Sequence, residues 1–202
     1  MNIIKKSARG FDLLPLESQL LENRMIFFTE EVNAESCQSL IQQLLYLDTM
    51  NHQTITILIN SPGGEVMSGL SVVDVMQNIE SPVCTVAMGT CASMGAILFE
   101  GASQGMRFML QHAQLMLHGP SFGNGNFTGM KYHEIQKESQ KLAELNNMIA
   151  DMLSERTNIE FDKMLEILSK DSYFNANEAL DLNLIDGILD AKSFRKELMS
   201  NE

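Results

Sequence analysis

The sequence predicts an α/β fold built from repeated right-handed β-α-β units. Apolar or β-branched runs of five to seven residues recur through its first half, and segments with helical apolar spacing separate most of them. Glycine-rich junctions sit between several of these pieces, as expected where parallel strands hand over to helices. At 202 residues and 45% hydrophobic, the chain suits one compact domain, 1–202, with a sizeable core.

Taken in order, "MIFFT" (25–29) reads as a strand, followed by a helix over about 34–47. There Cys37, Leu40, Ile41, Leu44 and Leu45 form an apolar stripe. "TITILIN" (54–60) is a β-branched strand that stops at Ser-Pro-Gly-Gly, and a helix over about 66–79 turns Val66, Leu70, Val73 and Met76 inward. "VCTVAM" (83–88) is the next strand and 93–102 a short helix. "RFMLQ" and "QLMLH" are further short strands. A long helix over about 128–155 carries Ile135, Leu142, Leu145, Ile149 and Met152 on one face. Shorter helices follow at about 160–168 and 176–182, the second announced by the capping-box spacing of Asn175 and Glu178. "GPSFGNGNFTG", after His118, has the composition of a loop. Met130, Met148, Met152 and Met164 lie at roughly apolar-face spacing, which favours core filling over a cofactor role.

Composition excludes several classes. A formal net charge of −12 argues against nucleic acid as a partner. No apolar run is long enough to span a bilayer, so no membrane is expected, and the first residues have no apolar h-region of a secretory signal. Cys37, Cys84 and Cys91 are an odd set, two of them inside apolar or small-residue runs, which favours reduced thiols in a cytoplasmic protein. There is no phosphate-binding loop and no metal-ligand spacing among the four histidines, so no cofactor and no metal are expected.

Chemistry could sit in three places. Ser93 stands in "GTCASMGA", directly after an apolar strand. It fits either close packing at a helix start or a nucleophile on a tight strand-to-helix turn, though Cys91 breaks the strict G-x-S-x-G pattern. Gly63 and Gly64 also end a strand and open a helix; their N–H groups and that of Met94 could face a carbonyl oxygen, or they form an ordinary turn. His118 leaves an apolar strand into a Gly-Pro turn, a place for a general base or for a capped surface histidine. A carboxylate would have to orient it, and spacing leaves Asp171, Asp181 and Asp186 open.

"INSPGGEVMSGLSVVDVMQ", "GTCASMGAIL", "MLHGP", "SKDSYFNANEAL" and "LIDGI", in this order and near-spacing, resemble the proteolytic subunit of the Clp protease, and the likeness runs from about Arg9 to Leu189. The resemblance implies a crotonase-like fold with a protruding handle helix (119–155) and an N-terminal segment (1–24). It implies a serine endopeptidase in heptameric rings that stack in pairs around a chamber. An AAA+ unfoldase feeds that chamber with peptides and unfolded proteins. Ser93 falls on the family's nucleophile, His118 on its base and Asp171 on its acid. Gly64 and Met94 fall on the oxyanion-hole amides, and Gly63, Val66, Pro120 and Ser121 where the substrate strand is held.

The chain also departs from the pattern. Thr56 and Leu58 replace tyrosines of the unfoldase-gripping cleft, and Gly119 replaces a glutamine. Ser169, Lys170 and Ser172 replace an acidic residue and two arginines that flank the aspartate, the first two of which reach the facing ring in the family; ring stacking is therefore expected to be weaker. Two other readings compete: an acyl-CoA hydratase or isomerase of the same fold, and a catalytically weak subunit that fills ring positions. The joint presence of Ser93, His118 and Asp171 argues against both.

Overall fold

The computed structural model describes residues 1–7, 10–122, 129–190 and 193. An antiparallel hairpin, β1 (Asn2–Ser7) and β2 (Gly10–Pro15), leads into a short helix, α1 (Leu16–Glu22). Neither hairpin nor helix is foreseen from the sequence, because the hairpin alternates in no clear polar pattern and leaves Ile4, Phe11 and Leu13 exposed. The domain proper begins with β3 (Met25–Phe28), α2 (Ala34–Met50), β4 (Ile55–Ser61), α3 (Val66–Asn78) and β5 (Val83–Ala92). It continues through α4 (Met94–Glu100), β6 (Arg107–Leu110), β7 (Gln114–Leu117), α5 (Tyr132–Thr157) and α6 (Phe161–Leu168). β8 (Ser172–Asn175), α7 (Ala176–Asp181) and β9 (Gly187–Leu189) complete it.

β3, β4, β5, β6 and β9 form a parallel sheet in that order, with α2, α3 and α4 as the crossovers from β3 to β6. This is the α/β architecture expected from the sequence. Its decisive feature is the length of β5. The first half of the strand (Thr85–Ala87) pairs with β6, whereas the second half (Thr90–Ala92) pairs with β7, which carries β8 antiparallel on its far side. The sheet therefore forks along one strand. The sequence reading stops this strand at residue 88, because Gly-Thr-Cys-Ala has little strand propensity; its pairing with β7 overrides that preference.

Local chemistry explains the helix ends. Asn33 caps α2 by accepting from the N–H groups of Glu35 and Ser36, while the Ser36 hydroxyl accepts from Asn33 N–H. The box read at Asn175 and Glu178 opens α7 in the same way. α5 ends on Asn158 in the left-handed conformation. Its start is Tyr132, later than the expected 128, and residue 128 lies outside the described residues.

The main core lies between the helices and the parallel sheet, with Leu40, Leu44, Ile55, Ile57, Phe99, Leu115 and Leu153 almost fully buried. A smaller apolar cluster covers the opposite side, where Leu58, Cys84, Val86 and Leu189 meet Met25, Met88, Met106 and Phe108. α5 buries only Ile149, Ala150, Leu153 and Thr157; its N-terminal half stands away from the domain. Of the four methionines assigned to core filling, Met164 is fully buried and Met152 packs on the core, but Met148 is 48% exposed. It lies on the solvent-facing side of α5. The three cysteines are buried and none forms a disulfide. No helix among the described residues is long and apolar enough to cross a membrane.

Candidate active site

Three neighbouring strands place the candidate groups. Ala92 pairs with Met116 in the β5–β7 ladder, so Ser93 leaves β5 beside the end of β7, and its N–H donates to Met116 O at 2.8 Å. Leu117 pairs with Ser172 at the end of the β7–β8 ladder, so His118, just after β7, faces Asp171, just before β8. Register alone brings together side chains 25 and 53 residues apart. His118 Nε2 lies 2.8 Å from Ser93 Oγ, and His118 Nδ1 lies 2.9 Å from Asp171 Oδ1. With the Nδ1 proton donated to the carboxylate, Nε2 is left to accept from the serine hydroxyl.

Ser93 occupies the N-cap of α4 with φ 53° and ψ −125°, a conformation a non-glycine residue seldom holds. It is over-determined by its neighbours: its N–H is tied to β7, and its C=O accepts from Ala96 and Ile97. The result aims the hydroxyl out of the turn toward His118. Small residues make the turn possible. A methyl group on Gly95 would sit 3.0 Å from Ser61 Cβ, and one on Gly63 would sit 2.6 Å from Ser93 Cβ and 2.9 Å from Met94 N. Gly63 thus lies against the Ser93–Met94 peptide, with φ +93°.

Gly64 has φ +147° and forms a parallel bridge with Val32; Val32 N–H donates to Gly63 O and Glu65 N–H to Val32 O. Met94 opens α4, where the first N–H groups have no carbonyl one turn back. Its side chain is buried against Gly69. Val66 begins α3 and packs on the core, whereas Pro120 is half-buried and Ser121 exposed just beyond His118. The two competing carboxylates lie elsewhere. Asp181 is exposed at the end of α7, and Asp186 binds Arg107 through Nε (3.0 Å), Nη2 (2.8 Å) and the backbone N–H (2.8 Å). Arg107 also donates from Nη1 to Glu100, which is 1% exposed and whose carboxyl burial pushes up to about 7 against the pull of Arg107 and Arg156. Burial raises the Cys91 thiol far above its ordinary range, and its S–H points to Gly95 O, so the sulfur two residues before Ser93 stays protonated.

Ser61 supports the site without having been singled out in the sequence. It donates to Glu30 O at 2.6 Å, accepts from Gly63 N–H at 3.2 Å and is 1% exposed. A serine ahead of Pro-Gly-Gly is the signal that could have marked it, since hydroxyls bond the backbone two residues on.

Residues 8–192 match the family model described as Clp protease. The chain belongs to the Clp protease family. The match spans nearly the whole chain, and the forked sheet and the projecting α5 are consistent with the fold of the family's proteolytic subunit. Clp proteases are hydrolases that in general act as ring oligomers together with a Clp ATPase.

Proposed function

We propose that this Clp protease-family chain is a serine endopeptidase with Ser93 as nucleophile, His118 as general base and then acid, and Asp171 as the group that orients His118 and balances its charge. The observation that carries the reading is the continuous hydrogen-bonded line from Asp171 Oδ1 through both imidazole nitrogens to Ser93 Oγ, at 2.9 and 2.8 Å. His118 Nε2 removes the hydroxyl proton as Ser93 Oγ attacks a peptide carbonyl. The N–H groups of Gly64 and Met94 receive the oxyanion, helped by the N-terminal end of α4. His118 then returns the proton to the leaving amine, and water hydrolyses the acyl-enzyme. Gly63 and Val66 on one side, with Pro120 and Ser121 on the other, would hold the substrate chain as an added strand, the glycine letting its backbone approach closely.

The subunit is proposed to work in heptameric rings stacked in pairs, with an AAA+ unfoldase delivering unfolded protein to the enclosed sites. The partly buried Met25, Met88, Met106 and Phe108, packed around the buried Leu58, are the apolar side chains that would meet that partner in place of the missing tyrosines. A fluorophosphonate probe with a short fluorogenic peptide tests the reading. Labelling of Ser93 and hydrolysis without ATP, both abolished in a folded Ser93→Ala variant, are expected. Folded wild-type protein that neither labels nor cleaves would make the chain an assembly subunit instead.

A further inference from the structure

Asp171 is held in place by very little of its own. Its side chain is 63% exposed and its carboxylate meets His118 Nδ1, so the position of that carboxylate depends on the backbone of the three-residue link Ser169–Asp171 between α6 and β8. Such an exposed carboxylate on a free link would sample many positions, most of them useless to an imidazole.

Several hydrogen bonds fasten the link. On the His118 side, Gly119 N–H donates to Leu168 O at 2.7 Å and ties the residue after the base to the last residue of α6. Ser169 donates from its hydroxyl to Glu166 O at 2.7 Å and closes the helix end. Ser172 Oγ donates to Ile167 O at 2.8 Å, spanning the link from its far side back to the last turn of α6. Ser172 is also the first β8 residue on the ladder, paired with Leu117 just before the base. One half-buried hydroxyl therefore joins the helix before Asp171 to the strand after it.

We infer that Ser172 is a positioning residue of the candidate active site, acting through Asp171 by fixing the link that presents its carboxylate to His118. It touches neither substrate nor the reacting atoms. The inference rests on the triad reading above and adds to it a residue whose effect must vanish when Asp171 is gone.

The test is a double-mutant cycle on the full chain, with the fluorogenic peptide as substrate and the rate of fluorophosphonate labelling as a second readout. Ser172→Ala is expected to lower kcat and the labelling rate about 10-fold with KM nearly unchanged, and Ser172→Thr, which keeps the hydroxyl, to restore most of both. In an Asp171→Ala background, Ser172→Ala is expected to cost no further activity. A merely structural role would instead lower the unfolding temperature and multiply with the Asp171 change. Wild-type kcat in Ser172→Ala, failure of Ser172→Thr to restore it, or a multiplicative loss in the double variant each overturns the inference. Failure of the triad reading is separate, because it appears as wild-type protein that neither labels nor cleaves.

Discussion

At Gly64 the site tolerates no side chain at all. A Cβ there would lie 2.2 Å from Val32 O, and the residue already holds φ +147°. Gly64→Ala must therefore open the Val32 bridge or rotate the peptide whose N–H is proposed to receive the oxyanion. Strain of about 1–3 kcal/mol would lower the unfolding temperature by several degrees, and displacement of the donor would reduce kcat by about 10²-fold. Gly105 provides the control, since it also has positive φ (+79°) but nothing within 4 Å of an added Cβ. Gly105→Ala should cost stability alone. Peptidase assays and thermal unfolding of the two variants check the contrast, and equal kcat in both would remove Gly64 from the mechanism. The same scale shows what was legible beforehand. Small residues around Ser93 and paired glycines at a strand end advertise a tight turn, because glycine alone fits where backbones touch. Nothing in the spacing of Asp171, Asp181 and Asp186 ranks them, since that choice is made by strand register.

Elements carry that register, and they are where sequence reading fell short. The runs that became β3, β4, β6 and β7, and the stripes of α2 and α3, were legible because each packs one face on the core. β8 was not: "SYFN" is four residues, none fully buried, and it is a strand only because β7 pairs with it. The end of β5 failed for the same reason, and both misses sit at the candidate site. α4 shows a second effect of element placement. It begins at the strained Ser93 cap and ends at Glu100, whose carboxyl faces Arg107 from β6, Arg156 from α5, Asp186 before β9 and the Cys91 thiol. Burial raises Glu100 to about 7, so the folded chain binds this proton more tightly than the unfolded chain does. Stability from this group is full below the ordinary carboxylate range and is lost as pH rises through about 7. Asp186 works in the opposite sense. Burial opposes its ionisation, but Arg107 holds it below its usual range, so its contribution is lost only in acid. Thermal unfolding from about pH 5.5 to 8.5 at fixed protein concentration should show wild type losing stability relative to Glu100→Gln across neutral pH. Parallel profiles would mean that Arg107 and Arg156 keep Glu100 ionised throughout.

The whole molecule must finally meet other copies of itself. The formal charge of −12 per subunit makes every approach between rings repulsive at low salt. The resemblance implies that in typical members a carboxylate and an arginine ahead of the aspartate reach across to the facing ring. Here Ser169 turns its hydroxyl back onto Glu166 O, and Lys170 lies close enough to Glu166 to help Lys163 lower its carboxyl. Ser169 is thus engaged within its own chain, whereas the exposed Lys170 brings a positive charge with no carboxylate at residue 169 beside it. For the proposed ring pairing, the projecting half of α5 offers apolar surface among the described residues, with Tyr132 76% exposed and Ile135 38% exposed. Apolar contacts of that kind are insensitive to screening, whereas the opposing charge is screened over roughly 10 Å at 0.1 M salt and roughly 3 Å at 1 M. Stacking is therefore expected to be weak and to strengthen with salt, the reverse of a ring pair held by ion pairs. Light scattering across a dilution series, at about 0.05 M and about 0.5 M sodium chloride, should show single rings gaining at low salt and paired rings at high salt. Peptidase activity on the same samples should follow the paired fraction if pairing supports the site. Double rings that survive dilution at low salt and fall apart at high salt would mean that an ion pair elsewhere in the chain has replaced the lost contact.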